Sequence, residues 1–204
     1  MIHFLNLKKI NHFMEYNGIL YVSCDFGIVQ YNLATSGFGD TYRIGDFGAE
    51  IKVSQTAVSN GIIYAATSFG IRSASISNPN LNDYNQWTQL ISGGFSGIET
   101  FGSQVIASSN WGQIFKLNGS AFTSFTSFPL IANDLRASGD YLLISTQTNV
   151  YIYNQNLSLL LQINSNQIPN ISAKFTCATL IDNVIYLGTL EDGIITTTIS
   201  NPTT

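Results

Sequence analysis

The chain has 204 residues, 10% of them charged, with 8 basic and 12 acidic side chains and a formal net charge of −4. The basic residues are scattered, only Lys8 and Lys9 being adjacent, so the clustered Lys and Arg that a phosphate backbone requires are missing and nucleic-acid binding is excluded. Apolar residues at 45% and aromatics at 12% exclude a disordered chain, and the apolar runs fall far short of the ~20 residues that a membrane-spanning helix needs.

The N-terminal stretch MIHFLNLKKINHFM lacks the order of a secretory signal, because Lys8 and Lys9 follow a very short apolar segment. Its first seven residues read as an outer strand. From there one phrase recurs five times. It begins with a small turn at Asn17-Gly18, Asn60-Gly61, Gly102-Ser103, Gly139-Asp140 and Asp182-Asn183, at steps of 43, 42, 37 and 43 residues. An apolar run follows each turn: ILYVSC, IIYAATS, QVIASS, YLLIST and VIYLGT. A second turn closes it at Gly27, Gly70, Gly112, Asn149 and Gly193. A period near 40 residues with several short strands per repeat marks a β-propeller.

The second repeat shows the pattern most clearly. KVSQTAVS (52–59) is the inner strand A, and Asn60-Gly61 is a two-residue hairpin turn. IIYAATS (62–68) is a strand B apolar on both faces, IRSASIS (71–77) an alternating strand C, and YNQWTQLI (84–91) the outer strand D. The expected blades are 10–45, 51–91, 97–128, 132–164 and 172–200, the last without a strand D. The fold class is therefore all-β, a β-propeller of four-stranded antiparallel blades with five blades expected over 1–204. Either residues 1–7 close the ring, or these are five consecutive blades of a larger one.

Few residues suggest chemistry. His3 and His12 are the two histidines, and His12 falls on the first inner strand, so a structural role is expected and no Ser-His-Asp site. Asn82, Asp83 and Asn85 could offer oxygens to calcium, but the surrounding NPNLNDYN reads as a turn, so no metal and no cofactor is expected. Glu191-Asp192 reads as a solvated turn. Cys24 and Cys177 read as strand residues, a disulfide being the alternative. Phe26, Phe69 and Trp111 each precede a B–C turn glycine, and Phe47 and Phe95 lie in the D–A connections. These loops emerge on one face of a propeller, so the five aromatics are candidate binding residues, since aromatic faces anchor interfaces and stack on sugar rings. Wedging between blades is the alternative. Tyr84 and Trp87 are expected to pack a blade.

The stretches ILYVSCDFGIVQYNL (19–33), FGDTYRIGDFGAEIKVSQTAV (38–58), GIIYAATSFGI (61–71) and NPNLNDYNQW (78–87) resemble the propeller region of PorZ-type proteins, surface components of the type IX secretion system of the Bacteroidetes. The resemblance is best over about 10–90. It implies export to the outer-membrane surface or periplasm and partners in an attachment complex with a sortase-like protease and an outer-membrane barrel protein. It also implies an accessory role in delivering anionic lipopolysaccharide to that sortase, without protease activity. Family members carry a signal peptide, two propellers and a C-terminal β-domain. This chain is expected to lack the signal, two leading blades and everything beyond the first propeller, its five blades then belonging to a seven-bladed ring.

The expected function is that of a non-enzymatic surface scaffold that docks proteins through loop faces, with lipopolysaccharide or glycan as a second class of partner. One alternative is the periplasmic sensor propeller of a hybrid two-component regulator. Another is a propeller glycosidase or lyase, which would need paired carboxylates, and the inner strands offer Glu15, Glu99 and Asp134.

Overall fold

The computed structural model describes residues 9–168 and 174–199. The expected outer strand 1–7, His3 and the first residues of the fifth repeat lie outside them. Five antiparallel sheets form, four of four strands and one of three. The first holds β1 (Ile10–Tyr16), β2 (Ile19–Cys24), β3 (Gly27–Asn32) and β4 (Gly37–Tyr42). The second holds β5 (Val53–Ser59), β6 (Ile62–Thr67), β7 (Gly70–Ser75) and β8 (Thr88–Ser92). The third holds β9 (Phe95–Phe101), β10 (Gln104–Ser109), β11 (Gln113–Asn118) and β12 (Ala121–Ser127). The fourth holds β13 (Ala132–Ser138), β14 (Tyr141–Thr146), β15 (Asn149–Asn154) and β16 (Leu159–Asn164). The fifth holds β17 (Phe175–Ile181), β18 (Val184–Thr189) and β19 (Ile194–Thr198). Neighbours in sequence are neighbours in each sheet, the meander expected of a propeller blade.

The expected strand D at 84–91 is shorter than the sequence suggests. Tyr84–Gln86 form a 3-10 turn that Asp83 caps by accepting from the Asn85 amide. Only after Trp87 does β8 begin. The Trp87 ring is buried, its Nε1 donates to the Leu81 carbonyl at 2.9 Å, and it packs on Tyr42 at 6.2 Å. Trp87 therefore packs a blade, as expected, from a loop and not from a strand.

The chain divides into two compact units, Met1–Phe95 and Ser96–Thr204. Within the first, alternation along β2 decides which residues are buried between sheets. Ile19 and Tyr21, with Ile28 and Tyr42, face Val53, Ile63, Ala65 and Trp87 of the second repeat in one apolar cluster. Within the second unit, Phe101, Ile106 and Ile114 pack on Leu135, Leu142 and Ile144. The opposite face of that fourth sheet, with Leu143, Val150 and Ile152, packs on Phe175, Ile185 and Leu187. Aromatic pairs join the contact between the third and fourth sheets, Phe128 stacked on Tyr151 at 4.0 Å and Phe125 edge-on to Tyr153 at 5.5 Å.

A second link repeats along the inner strands. In β1, β5, β13 and β17 the register shifts between the first and third residues. The second residue is therefore bulged out of the ladder. In β1, β5 and β13 its side chain then reaches the first residue of a later inner strand. Asn11 Nδ2 donates to the Val53 carbonyl at 2.8 Å, Ser54 Oγ to that of Phe95 at 3.0 Å, and Asn133 Nδ2 to that of Phe175 at 2.9 Å. The donor and acceptor are 42, 41 and 42 residues apart, so the sequence period is the spacing of this bond.

The turn that closes each phrase is fixed by sterics. A Cβ on Gly27 would collide with the Tyr42 carbonyl, on Gly70 with that of Ile91, and on Gly112 with that of Phe128. In each case the end of the outer strand passes directly over the turn. Gly193 has open space around it, in the one sheet without a fourth strand among the described residues. Gly61, at φ 74°, also has nothing within 4 Å. Gly61→Ala should therefore cost about 1 kcal/mol, the backbone term alone. Gly70→Ala should cost about 3 kcal/mol, because the backbone of β8 must also shift. Urea unfolding of the two variants separates these terms, and equal losses would refute the close-approach account.

Candidate binding face

The five sequence-selected aromatics do not share one environment. Phe47 is 91% exposed and Phe69 is 70% exposed, both in the first unit, and Trp111 is 68% exposed in the second. Phe26 is half-buried and lines an apolar cavity of about 440 Å³ with Leu20, Val22, Val29 and Tyr31. Phe95 is a correction. It was expected in an exposed connection, but it is 2% exposed and begins β9. Its strand starts two residues earlier than expected, and it occupies the position of Val53, Ala132 and Phe175, all 3% exposed or less. Aligning the repeats on these inner-strand starts would have identified it as a core residue.

The exposed rings sit on turns tied down by hydrogen bonds. Phe47 lies in the turn Asp46–Gly48, closed by Gly48 N–H to the Gly45 carbonyl at 3.0 Å and Ala49 N–H to that of Asp46 at 3.1 Å. Its φ of 58° is a strained value for a side chain without local polar compensation. The ring meets Tyr84 at 6.1 Å, tilted by 51°. The Phe69 amide donates to Thr67 Oγ1 at 3.2 Å, and its carbonyl accepts from Gly93 at 3.2 Å. The Trp111 amide donates to Ser109 Oγ at 3.3 Å, and Gly112 accepts from Phe128 at 2.8 Å. Each exposed Phe forgoes about 2 kcal/mol of burial, so fixed turns hold apolar rings in water at a cost.

The polar candidates resolve into structural roles. Asp83 is spent on capping: it accepts from the Asn85 amide at 3.0 Å and from the Asn85 side chain at 2.9 Å. The Asn85 backbone bond holds its carboxyl below the usual range. Among the described residues no group of three or more His, Cys, Asp or Glu could hold a metal ion. Both cysteines are free thiols, Cys24 buried and Cys177 exposed, which removes the disulfide alternative. His12 is half-buried on β1 opposite Ser23. Glu191 and Asp192 are exposed in the turn before β19.

The three inner-strand carboxylates are divided between the units. Glu15 accepts from the Gly18 amide at 2.7 Å in the first. Glu99 and Asp134 interact electrostatically in the second, on β9 and β13. Burial pushes Glu99 up to about 7, and the nearby Asp134 charge adds to this, against bonds from the Thr100 and Ala137 amides and the charge of Arg136. Asp134 is paired with Arg136 Nε at 3.3 Å. Sequence reasoning named both acids but had no means of finding the burial of Glu99. Among the described residues no helix is long and apolar enough to cross a membrane.

Successive four-stranded meanders, packed face to face and presenting aromatic turn residues, define a β-propeller. Residues 3–88 match the family described as TSS9, PorZ, N-terminal beta-propeller domain. The chain is similar to PorZ of Porphyromonas gingivalis, described as an essential bacterial surface component of the type-IX secretion system. The TM-score is 0.75 at 16% identity over 96% of this chain and 25% of that chain. It is also similar to an extracellular domain assigned to a hybrid two component system of B. thetaiotaomicron, with TM-score 0.69 and 15% identity over 100% of this chain and 28% of that chain. BamB from Moraxella catarrhalis gives TM-score 0.59 and 17% identity over 90% of this chain and 55% of that chain. At these identities the structural likeness establishes the fold. The chain spans a quarter of the length of the PorZ chain. No curated protein matches the sequence.

Glu99 gives the second unit a pH signature. Its folded value of about 7 lies above the ordinary 4.5, so the folded state binds the proton more tightly. The stabilisation is complete below about pH 4.5 and is lost as the pH rises through about 7. Thermal unfolding of wild type and Glu99→Gln across this range should show the wild-type advantage shrinking towards alkaline pH. A constant difference would contradict the burial of this carboxyl.

Proposed function

We propose that this chain acts as a non-catalytic docking propeller of a type IX secretion attachment complex, at the cell surface or in the periplasm. Its finer role is to help present anionic lipopolysaccharide to a sortase-like enzyme. The observation that carries this reading is the set of large aromatic side chains, Phe47, Phe69 and Trp111, held exposed on hydrogen-bonded turns. Exposed aromatics on rigid loops supply interface anchors with little ordering cost on binding. The family match over residues 3–88 supports the secretion context. The carboxylates do not favour a glycosidase, because the Arg136 ion pair engages Asp134.

Deletion of the encoding gene in a strain that secretes type IX cargo provides the test. The expected result is accumulation of cargo that retains its C-terminal signal and lacks attached lipopolysaccharide. Wild type should restore processing, and a Phe47→Ala, Trp111→Ala double variant should restore it poorly at equal abundance. Normal cargo processing in the deletion strain would overturn the reading. A lost transcriptional response to extracellular glycans, with cargo intact, would instead favour a sensor propeller.

A further inference from the structure

A cavity of about 330 Å³ lies in the first unit, and Asp46, Glu50, Phe69, Arg72 and Gln89 supply its functional lining. This is the lower end of the size range for small-molecule sites. Arg72 sits on β7 opposite Gln89 of β8, with its side chain only 6% exposed. A guanidinium carries five N–H donors. Both hydrogen bonds of Arg72 use Nη2, to Asp46 Oδ1 and, at 3.5 Å, to Gln89 Oε1. Arg72 thus lines the cavity with a largely buried guanidinium that Asp46 and Gln89 hold in place.

Charge decides what class of ligand fits. Two carboxylates, Asp46 and Glu50, face one guanidinium across the cavity. Arg43 lies 3.6 Å from Glu50 in an exposed pair, which brings the nearby charges to two of each sign and favours no net ligand charge. A ligand carboxylate or phosphate would meet two like charges. A ligand cation would meet Arg72. A neutral polyol can donate to Asp46, Glu50 and Gln89 while accepting from Arg72. The ring of Phe69, 70% exposed at the cavity, offers an apolar platform for the C–H face of a sugar. The turns bearing Asp46 and Phe69 are already closed by backbone hydrogen bonds, so little ordering is needed on binding.

We propose that this cavity is a binding site for one ring of a neutral saccharide, with Phe69 as the stacking platform and Arg72, Asp46 and Gln89 as the hydroxyl partners. The proposal deepens, and rests on, the reading of the chain as a non-catalytic binding propeller. Saturation-transfer NMR on the full chain tests it, with methyl glycosides of glucose, mannose, galactose and N-acetylglucosamine at millimolar concentration. Methyl glucuronide and glucose 6-phosphate serve as charged counterparts. At least one neutral glycoside should receive saturation, bind more tightly than both charged probes, and lose about tenfold in affinity on Phe69→Ala. Gln89→Ala, at an exposed outer-strand position, should weaken it about threefold. Absence of transfer from every neutral glycoside, tighter binding of a charged probe, or unchanged affinity in both folded variants would overturn the site. Methanol released from a bound glycoside in the same spectra would uphold the site and remove the non-catalytic reading. Loss of the site with the cargo-processing phenotype intact would leave the docking function standing.

Discussion

An inner strand that bulges at its second residue ties one sheet to the next, and much of the architecture follows from that contact. The bulge turns Asn11, Ser54 and Asn133 away from their own ladders and onto the carbonyls of Val53, Phe95 and Phe175. Each carbonyl opens an inner strand, so the bond fixes where that strand begins. Side-chain alternation then does the rest. Once the first residue is placed, every second residue of the strand is committed to the same inter-sheet face. The result is a core made of stacked interfaces, each of the kind seen between Tyr21 and Ile63 or between Leu143 and Ile185.

This arrangement leaves the strand connections free of core duties, and the connections carry what is unusual about the surface. The glycines at 27, 70 and 112 allow the outer strand to cross over the B–C turn. That crossing locks the turn from above, while Thr67 and Ser109 lock their own turns from within. The residue before each glycine is then held in a fixed place. At Phe69 and Trp111 that place is in water. At Phe26 it borders an apolar cavity. The same local motif thus yields different exposures, according to what lies beside the turn.

The polar groups of the first unit gather around one cavity. Arg72 is buried with a solvated counter-ion, and Asp46, Gln89 and Phe69 surround the same space. Glu99, half-buried on an inner strand, owes its elevated value to desolvation, with Asp134 adding to the shift and Arg136 opposing it.

The sequence by itself determined the all-β class, the repeat and nearly every strand, because hydrophobic alternation and turn residues are local signals. Asn17-Gly18 and Asn60-Gly61 adopt positive φ at both positions, as a two-residue hairpin requires, and the turn could be read from the two letters alone. It also carried a family resemblance, through phrases concentrated in the first two repeats, where the family model matches residues 3–88. What it did not determine was which aromatics face solvent. Phe95 and Phe69 look alike in sequence, each beside glycines, yet one opens a buried strand and the other caps an exposed turn. Nor did it show that Arg72, Asp46 and Gln89 converge, since they come from two strands and a connection separated by up to 43 residues. Exposure and convergence depend on which backbone passes overhead and which sheet lies alongside, and only the tertiary structure sets those.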